Sequence, residues 1–423
     1  MKLTTIVQMW LTRSFSPFIF KPEYDSKLNY QHIDNLGLYI HIPFCNRICS
    51  FCPYCKVMYE SELAYHYKNA LIEEINMVGK SLNSKKKVTS LYFGGGTPAL
   101  LADYIEELVT TVKKYYIIDE GIGVELHPEN VNVETLTKLK AAGVTKISIG
   151  IQSFNKETLV SIGRKEINQN IMFESLRQVP FETVSMDLIF AIPGQTSASL
   201  IEDINIAFAN GANHIAIYPF IQFSFANNSV QPMSEKAKRK LLEDITAYCQ
   251  EQGYVRTSIW TFAKADTVKY SSMTRDNFLG FGCSATTLLT DQFKINTFSV
   301  AEYINRIKQN KLPTSLTLRF SLRQRMVYYL FWMAYTTKVD PKDFRKFFGK
   351  SLKREYGLEF FVCRILGFLK KENGVYRMTT KGAYYYHYFE QFYTLAYIDK
   401  MWHVMSKKAF PERIYLDGDR GRV

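Results

Sequence analysis

Short apolar runs alternate with amphipathic segments over roughly the first half of the chain. The apolar runs, which predict strands, lie at 38–42, 90–93, 123–126, 146–151, 184–190 and 214–218. Between them, apolar residues recur at the i, i+3, i+4 spacing of helices, at 63–78, 104–115, 133–142, 199–210 and 234–251. Strands alternating with helices predict a parallel sheet, so the pattern predicts an α/β fold with a partial or closed (β/α)6 barrel.

The pattern changes at about residue 313. It predicts helices at 322–334, 341–348 and 352–371 (one or two helices), a strand at 375–378 and a turn at 380–382. This order is typical of a winged-helix-like, α-rich domain, and the aromatic run 383–402 predicts packing or an interface. We therefore divide the chain into an N-terminal extension (1–37, helix and loop), a barrel (38–295), a C-terminal domain (313–395) and a tail (396–423).

Composition narrows the class of protein. Hydrophobic residues make up 47% of the 423, which is enough for a sizeable core and argues against disorder. The net charge of +13 is scattered, so it favours a substrate with several carboxylates over nucleic acid and permits peripheral contact with an anionic membrane. No run reaches the ~18 apolar residues of a membrane span, and no secretory signal is evident. We expect a cytoplasmic protein.

Four of the seven cysteines lie within eleven residues, directly after the first predicted strand. Cys45, Cys49 and Cys52 form C-x3-C-x2-C, and Cys55 follows. Three thiolates on one loop can hold three irons of a [4Fe–4S] cluster and leave the fourth iron for a non-protein ligand.

Other uses of these cysteines fit less well. A structural zinc site needs four closed ligands, usually as two pairs, and only Cys52 and Cys55 form a C-x2-C pair. The remaining cysteines, Cys249, Cys283 and Cys363, are isolated. An odd cysteine count disfavours a disulfide framework, and a two-cluster ferredoxin would need a second cysteine-rich run. The cluster interpretation is therefore favoured.

Polar and glycine residues follow each predicted strand, where the active site of a barrel gathers. After the cysteine loop come the run GGGTP at 94–98, then Glu125, Gln152, Asp187 and the Tyr218-Pro219 pair. Later in the chain, Gly280 and Gly282 within the run 270–289 indicate close backbone approach to a ligand or a tight turn. No Ser/His/Asp triad is evident.

The run LYIHIPFC, followed by F-C, resembles the radical S-adenosylmethionine (SAM) superfamily, and most resembles the oxygen-independent coproporphyrinogen III oxidase (HemN-like) family. The resemblance extends strongly over about 38–290 and weakly over 315–395. It implies a partial (β/α)6 TIM-like radical SAM barrel with a C-terminal winged-helix-like domain. It also implies a [4Fe–4S] cluster on Cys45, Cys49 and Cys52, and one or two SAM molecules cleaved to a 5′-deoxyadenosyl radical.

The same resemblance implies the SAM-binding residues. Tyr39 and Gly95 would contact the first SAM, and Glu125 would hold its amino group. For a second SAM it implicates Phe51, Gly96, Thr97, Gln152, Arg164, Asp187, Pro219 and Thr286. Of these, Arg164 suits a carboxylate and Asp187 suits ribose hydroxyls.

The function that the resemblance implies is oxidative decarboxylation of porphyrinogen propionates, with an electron donor such as flavodoxin or ferredoxin. Alternatives are radical SAM methyl transfer or anaerobic heme degradation, a heme-binding chaperone, and an iron–sulfur protein acting on nucleic acid. The sequence departs from the biosynthetic oxidases at Cys55, which follows Cys52 by three residues instead of two. The role of Cys55 is therefore left open.

Overall fold

A computed structural model of the chain describes residues 9–14, 18–24, 28–224, 231–268, 270 and 276–416. Parts of the predicted extension, of the tail and of the run 270–289 lie outside these residues. The strands are β1 Phe18–Lys21, β2 Leu36–Ile42, β3 Phe44–Cys45, β4 Val57–Met58, β5 Lys86–Val88, β6 Leu91–Gly95, β7 Tyr116–Ile118, β8 Ile122–Leu126, β9 Lys146–Gln152, β10 Thr183–Phe190, β11 His214–Pro219, β12 Val255–Arg256, β13 Thr261–Ala263, β14 Asn277–Phe281, β15 Thr286–Leu288, β16 Gln292–Asn296, β17 Thr314–Arg319, β18 Lys338–Val339, β19 Leu369–Glu372, β20 Val375–Met378 and β21 Ile414–Leu416.

The helices are α1 Ser61–Gly79, α2 Ala102–Tyr115, α3 Val133–Ala141, α4 Lys156–Ser161, α5 Gln169–Gln178, α6 Ser197–Ala209, α7 Glu235–Glu251, α8 Val300–Lys308, α9 Leu322–Tyr335, α10 Pro341–Phe348, α11 Leu352–Ile365, α12 Thr380–Tyr393 and α13 Asp399–Lys407. Single 3₁₀ turns at Pro98–Leu101 and Pro128–Asn130 follow β6 and β8. No helix in the described part of the chain is both long enough and apolar enough to cross a bilayer.

Six parallel strands form the centre of the main sheet, in the order β11-β10-β9-β8-β6-β2. Helices connect each strand to the next, which gives the predicted (β/α)6 arrangement. These strands are apolar along almost their whole length because helices or other side chains cover both faces of a parallel sheet. In β2, for example, every residue except Tyr39 is buried.

Further strands, most of them antiparallel to their neighbours, extend this sheet on both sides. β13 and β12 follow β11, while β14 pairs in parallel with β2 and continues into β15-β16-β17-β1-β21. The described part of the N-terminal extension contains helical residues at 9–12, and it also contributes the strand β1, which our expectation of helix and loop did not include. β17 and β21 likewise carry parts of the predicted C-terminal domain and tail into the main sheet, and the domain division itself stays a prediction.

The segment after β17 has the winged-helix order. Along the chain the order is α9, β18, α10, α11, β19 and β20. The three strands form one sheet in the order β18-β20-β19. The helix predicted at 352–371 ends at Ile365 because Gly367 adopts a left-handed conformation (φ +72°), and β19 then begins. The turn predicted at 380–382 is instead the first turn of α12, where the Thr379 hydroxyl accepts a hydrogen bond from the Gly382 N–H at 3.0 Å.

A glycine at the β14–β15 hairpin provides the first test of this fold. A Cβ at Gly280 would overlap the backbone carbonyl of Thr286, which cannot move without disrupting the hairpin. We expect Gly280→Ala to destabilise the protein by about 1–3 kcal/mol, the usual range for overpacking. Gly357 in α11 is the matched control, because an added Cβ there meets only the Lys353 side chain at 3.7 Å. Denaturant unfolding of both variants should show a loss for Gly280→Ala alone, and equal stabilities would contradict the hairpin packing.

Candidate cofactor site

The cysteine loop is anchored at both ends by a short parallel pair. Cys45 ends β3, and β3 pairs with β4 through Phe44 opposite Val57 and Cys45 opposite Met58. Inside the loop, the Cys52 N–H donates to the Cys49 carbonyl at 3.4 Å. Cys45, Cys49 and Cys52 are all half-buried free thiols. The loop thus presents the three predicted ligands from a constrained turn.

The glycine run after β6 packs directly on this loop. The Gly96 N–H donates to the Ile42 carbonyl and the Thr97 N–H donates to the Phe44 carbonyl, both at 2.7 Å. A Cβ at Gly96 would lie 2.6 Å from the Phe44 carbonyl oxygen and 3.0 Å from Cys45 Sγ. The Thr97 hydroxyl lies 3.8 Å from the same sulfur. Only glycine leaves room for the backbone to approach the cysteine loop this closely.

Two half-buried carboxyl groups lie on strands that flank β9 in the sheet. Glu125 Oε2 on β8 accepts the Gly95 N–H at 3.0 Å, and burial raises the pKa of Glu125 to about 7. Asp187 on β10 accepts from the Ser148 hydroxyl at 2.9 Å, and burial raises the pKa of Asp187 to about 6. Among the described residues, no lysine or arginine forms an ion pair with either group. A cationic or hydrogen-donating ligand would satisfy them.

Aromatic side chains enclose these carboxyl groups. The Tyr39 hydroxyl lies 3.0 Å from His41 Nδ1, and the Tyr39 ring stacks on Tyr92 with centroids 6.5 Å apart. A Cβ at Gly94 would lie 2.9 Å from the Tyr39 ring. Burial and the charge of Glu125 raise the pKa of Tyr54, which places this residue in the electrostatic surroundings of Glu125. The sequence prediction missed Tyr54, Tyr92 and His41, although His41 follows Tyr39 by two residues along one strand.

A small cationic cavity of about 30 Å³ adjoins the cysteine loop. Its lining includes Cys49, Thr97, Arg47, Arg164 and Lys165, together with one acidic residue, Glu129. Burial, with the charges of Arg164 and Arg47, lowers the pKa of the adjacent His127 to about 3, so this imidazole is neutral. The cavity therefore suits a carboxylate.

Two of the predicted second-SAM residues, Gln152 and Arg164, lie together at the end of β9. Gln152 adopts a left-handed conformation with φ +71°. The Arg164 guanidinium donates to the carbonyl of Gly150, while its Nε is buried without a described partner. An unpaired buried N–H at this position is available to a ligand.

The remaining predicted residues are less closely connected to this centre. Phe51 packs on an apolar cluster that includes Ile189 and Phe220, and Pro219 ends β11 opposite Phe190. Thr286 lies on β15, beside Gly280, whose strand partner is Tyr39. No contact described for Thr286 joins it to the cysteine loop. The roles of all these residues stay predictions.

The residues present fit a site-differentiated iron–sulfur cluster with SAM. Three thiols lie on one anchored loop, and the glycine run packs against that loop at distances that no Cβ would permit. The half-buried Glu125 carboxyl group, which has no ion pair among the described residues, accepts the N–H of Gly95 in this run. Thiolates are the usual ligands of such clusters.

Comparisons with known proteins show which proteins the chain resembles. The family model of the radical SAM superfamily matches residues 39–207. The heme chaperone HemW of Bacillus subtilis is 29% identical over 332 residues, covering 74% of this chain and 87% of HemW. The oxygen-independent coproporphyrinogen III oxidase of Synechocystis is 26% identical over 315 residues, covering 68% of this chain and 67% of the oxidase.

A solved structure matches over most of the chain. Coproporphyrinogen III oxidase (HemN) from Escherichia coli superposes with a TM-score of 0.74 over 89% of this chain and 96% of that chain. At 19% sequence identity this likeness supports the fold alone. The chain thus carries a radical SAM domain at residues 39–207, and over about two thirds or more of its length it is similar to proteins named as coproporphyrinogen oxidases and heme chaperones.

Proposed function

We propose that this protein is a radical SAM enzyme that oxidatively decarboxylates propionate side chains of a porphyrinogen. The proposal depends on one observation, which is that Cys49 and Thr97 belong to two sites at once. Both belong to the predicted cofactor site, and both also line the cavity that contains Arg47, Arg164 and Lys165. A carboxylated substrate held by these cations would therefore lie beside the place where a radical is generated.

In this proposal Cys45, Cys49 and Cys52 hold the [4Fe–4S] cluster. When bound, the reduced cluster and SAM supply a 5′-deoxyadenosyl radical, using one electron from a donor such as flavodoxin or ferredoxin. Glu125 accepts hydrogen bonds from the SAM amino group, and the Gly95 N–H keeps that carboxylate oriented. Backbone groups of the glycine run approach the polar end of SAM, and Tyr39 closes the side of the pocket.

If a second SAM binds, Asp187 would accept from its ribose hydroxyls. Arg164 and Gln152 would bind its carboxylate, using the guanidinium N–H that has no described partner, and Arg47 and Lys165 would then bind the substrate carboxylate. Phe51, Gly96, Thr97, Pro219 and Thr286 would complete that subsite. The number of SAM molecules, one or two, is part of the proposal.

The substrate chemistry needs little acid–base help from the chain. Loss of a hydrogen atom from the carbon β to the carboxylate, followed by loss of CO2 and one electron, converts a propionate to a vinyl group. The cationic cavity would bind the propionates and fix which side chain faces the radical. The substrate's own carboxylate leaves as CO2, which accounts for the lack of an evident acid–base triad.

A heme chaperone is the second candidate. It is favoured by the similarity to HemW, which extends over 87% of that protein. A chaperone would bind heme tightly and show little SAM turnover.

One anaerobic assay separates the two candidates. We expect the reconstituted protein, given SAM, dithionite and coproporphyrinogen III, to release 5′-deoxyadenosine and a product that has lost CO2 and two hydrogens per converted side chain. The tetramethyl ester of the same porphyrinogen is the matched control, because it cannot lose CO2 and carries no charge for the cationic cavity. Mass spectrometry reads both products.

Other outcomes would reject the proposal. S-adenosylhomocysteine with a methylated product would indicate methyl transfer. Tight heme binding without nucleoside release would indicate a chaperone.

A further inference from the structure

Three metal-ligating side chains converge outside the predicted cluster ligands. One ligand atom from each of His41, Cys55 and Cys283 lies within 4.8 Å of the other two. The residues come from three separate segments: β2, the end of the cysteine loop and the turn after β14. Neither the proposed cluster nor the proposed SAM contacts use any of these side chains.

The surrounding structure holds the three residues in place. The Tyr67 hydroxyl donates to the His41 carbonyl at 2.7 Å and accepts the Cys283 N–H at 2.9 Å. His41 and Cys283 are 3% and 0% exposed, so both side chains are fixed in the core. Cys55 is half-buried, its Sγ lies 3.2 Å from the Phe298 carbonyl, and both cysteines are free thiols.

We propose that His41, Cys55 and Cys283 form a zinc-binding site. Two thiolates and one imidazole are a recognised zinc donor set, in which a fourth position is left for water or another oxygen. Zn²⁺ has no geometric preference from its d-electrons and tolerates the position of three pre-packed side chains. The Ser284 hydroxyl is a hydrogen-bonding neighbour of the Cys55 thiol, so a further oxygen lies beside the three ligands.

The hydrogen bonds of His41 are compatible with this role. His41 Nε2 lies 3.1 Å from the Cys55 carbonyl, and Nδ1 lies 3.0 Å from the Tyr39 hydroxyl. Zinc bound at Nε2 would replace its proton, and the Nδ1 proton would then be donated to Tyr39, as the outer nitrogen of a zinc-bound histidine usually is.

The two thiols differ in how readily they lose their protons. A hydrogen bond from Cys283 lowers the pKa of Cys55, whereas burial raises the pKa of Cys283. Zinc would displace both thiol protons, so binding releases protons to the solvent. The bound ion would join the cysteine loop to β2 and to the β14–β15 hairpin, which makes it a structural brace beneath the site.

The test counts metals in the intact, cluster-loaded protein. The protein is incubated under anaerobic conditions with zinc sulfate alone and is then desalted. Its zinc and iron contents are measured by elemental mass spectrometry. We expect one zinc per chain beside an unchanged iron content. Cys283→Ser and Cys55→Ser should each lower the retained zinc at least ~10-fold, in the range that loss of site residues costs metal affinity, while iron content stays constant. Cys363→Ser, a half-buried cysteine on α11, should retain zinc fully.

X-ray absorption at the zinc edge keeps the proposal testable if a variant fails to fold. The wild-type protein should show two sulfur ligands at ~2.3 Å and nitrogen or oxygen ligands at ~2.0 Å. Zinc retained equally by Cys283→Ser, zinc gained at the expense of iron, or extra iron with no zinc would each overturn the site. So would a Cys55–Cys283 disulfide with no zinc, detected as resistance of both thiols to alkylation.

Discussion

Replacing Cys49 with alanine should abolish both cluster binding and SAM cleavage. Cys49 lies in the middle of the cysteine loop and also lines the cationic cavity. With only two of three thiolates left, the loop cannot hold three irons, and the sulfur of Cys55, the fourth cysteine of the loop, is grouped with His41 and Cys283 instead. We expect the iron content and the visible absorbance of the reconstituted protein to fall to background, and 5′-deoxyadenosine release to fall with them.

Cys363→Ala is the matched control. Cys363 is a half-buried free thiol on α11, in the winged-helix-like segment. Its removal should leave iron content, absorbance and nucleoside release unchanged. A Cys49→Ala protein that keeps four irons and its colour would contradict the cluster assignment and, with it, the proposed chemistry.

Replacing Glu125 with glutamine should weaken SAM binding without removing the cluster. The amide oxygen can still accept the Gly95 N–H, so the fold around the glycine run is preserved. The charged acceptor for the SAM amino group is lost, which costs about 1.5–3 kcal/mol, or roughly a 10- to 150-fold higher Kd. Equilibrium binding of SAM to the cluster-loaded protein measures this change, and iron content confirms that the cluster remains.

The pH dependence of SAM binding gives a second readout of Glu125. Because burial raises the pKa of Glu125 from 4.5 to about 7, the group is charged above pH 7 and becomes protonated below it. The Kd for SAM should therefore rise as the pH falls from 8 to 6 in the wild type and stay flatter in Glu125→Gln. Asp187 interacts with Glu125, so the midpoint belongs to the pair and Asp187→Asn should shift it. Identical pH profiles for wild type and Glu125→Gln would reject this role.

The barrel strands could be predicted because their pattern is local. Strands that are buried on both faces appear in the sequence as continuous apolar runs. The strands predicted at 184–190 and 214–218 therefore differ from β10 and β11 by at most one residue at each end. The antiparallel extension could not be predicted in the same way. β1 is four residues long and has no periodicity of its own, and it becomes a strand through pairing with β17 and β21.

In the candidate site, too, local features could be predicted from the sequence and contacts between distant segments could not. The cysteine spacing and the glycine run are contiguous in sequence, so both could be identified before the fold was known. The meeting of His41 with Cys283 depends on the parallel pairing of β2 with β14, which joins segments more than two hundred residues apart. Spacing within a motif carries no information about such a contact. The Tyr39–Tyr92 stack likewise follows from the register of β2 and β6, in which these residues are opposite each other.

The place of β1 in the sheet has a consequence for biosynthesis. This strand is translated before the six central parallel strands, yet the two strands that hydrogen-bond to it, β17 and β21, are translated after all of them. The parallel strands around the cysteine loop can assemble meanwhile, since each needs only neighbours made shortly before it. During translation β1 therefore remains an open edge, and pairing of an open edge with other chains is a common route to aggregation. Lys21, exposed on this strand, is the kind of charged side chain that hinders such pairing until the last strand arrives.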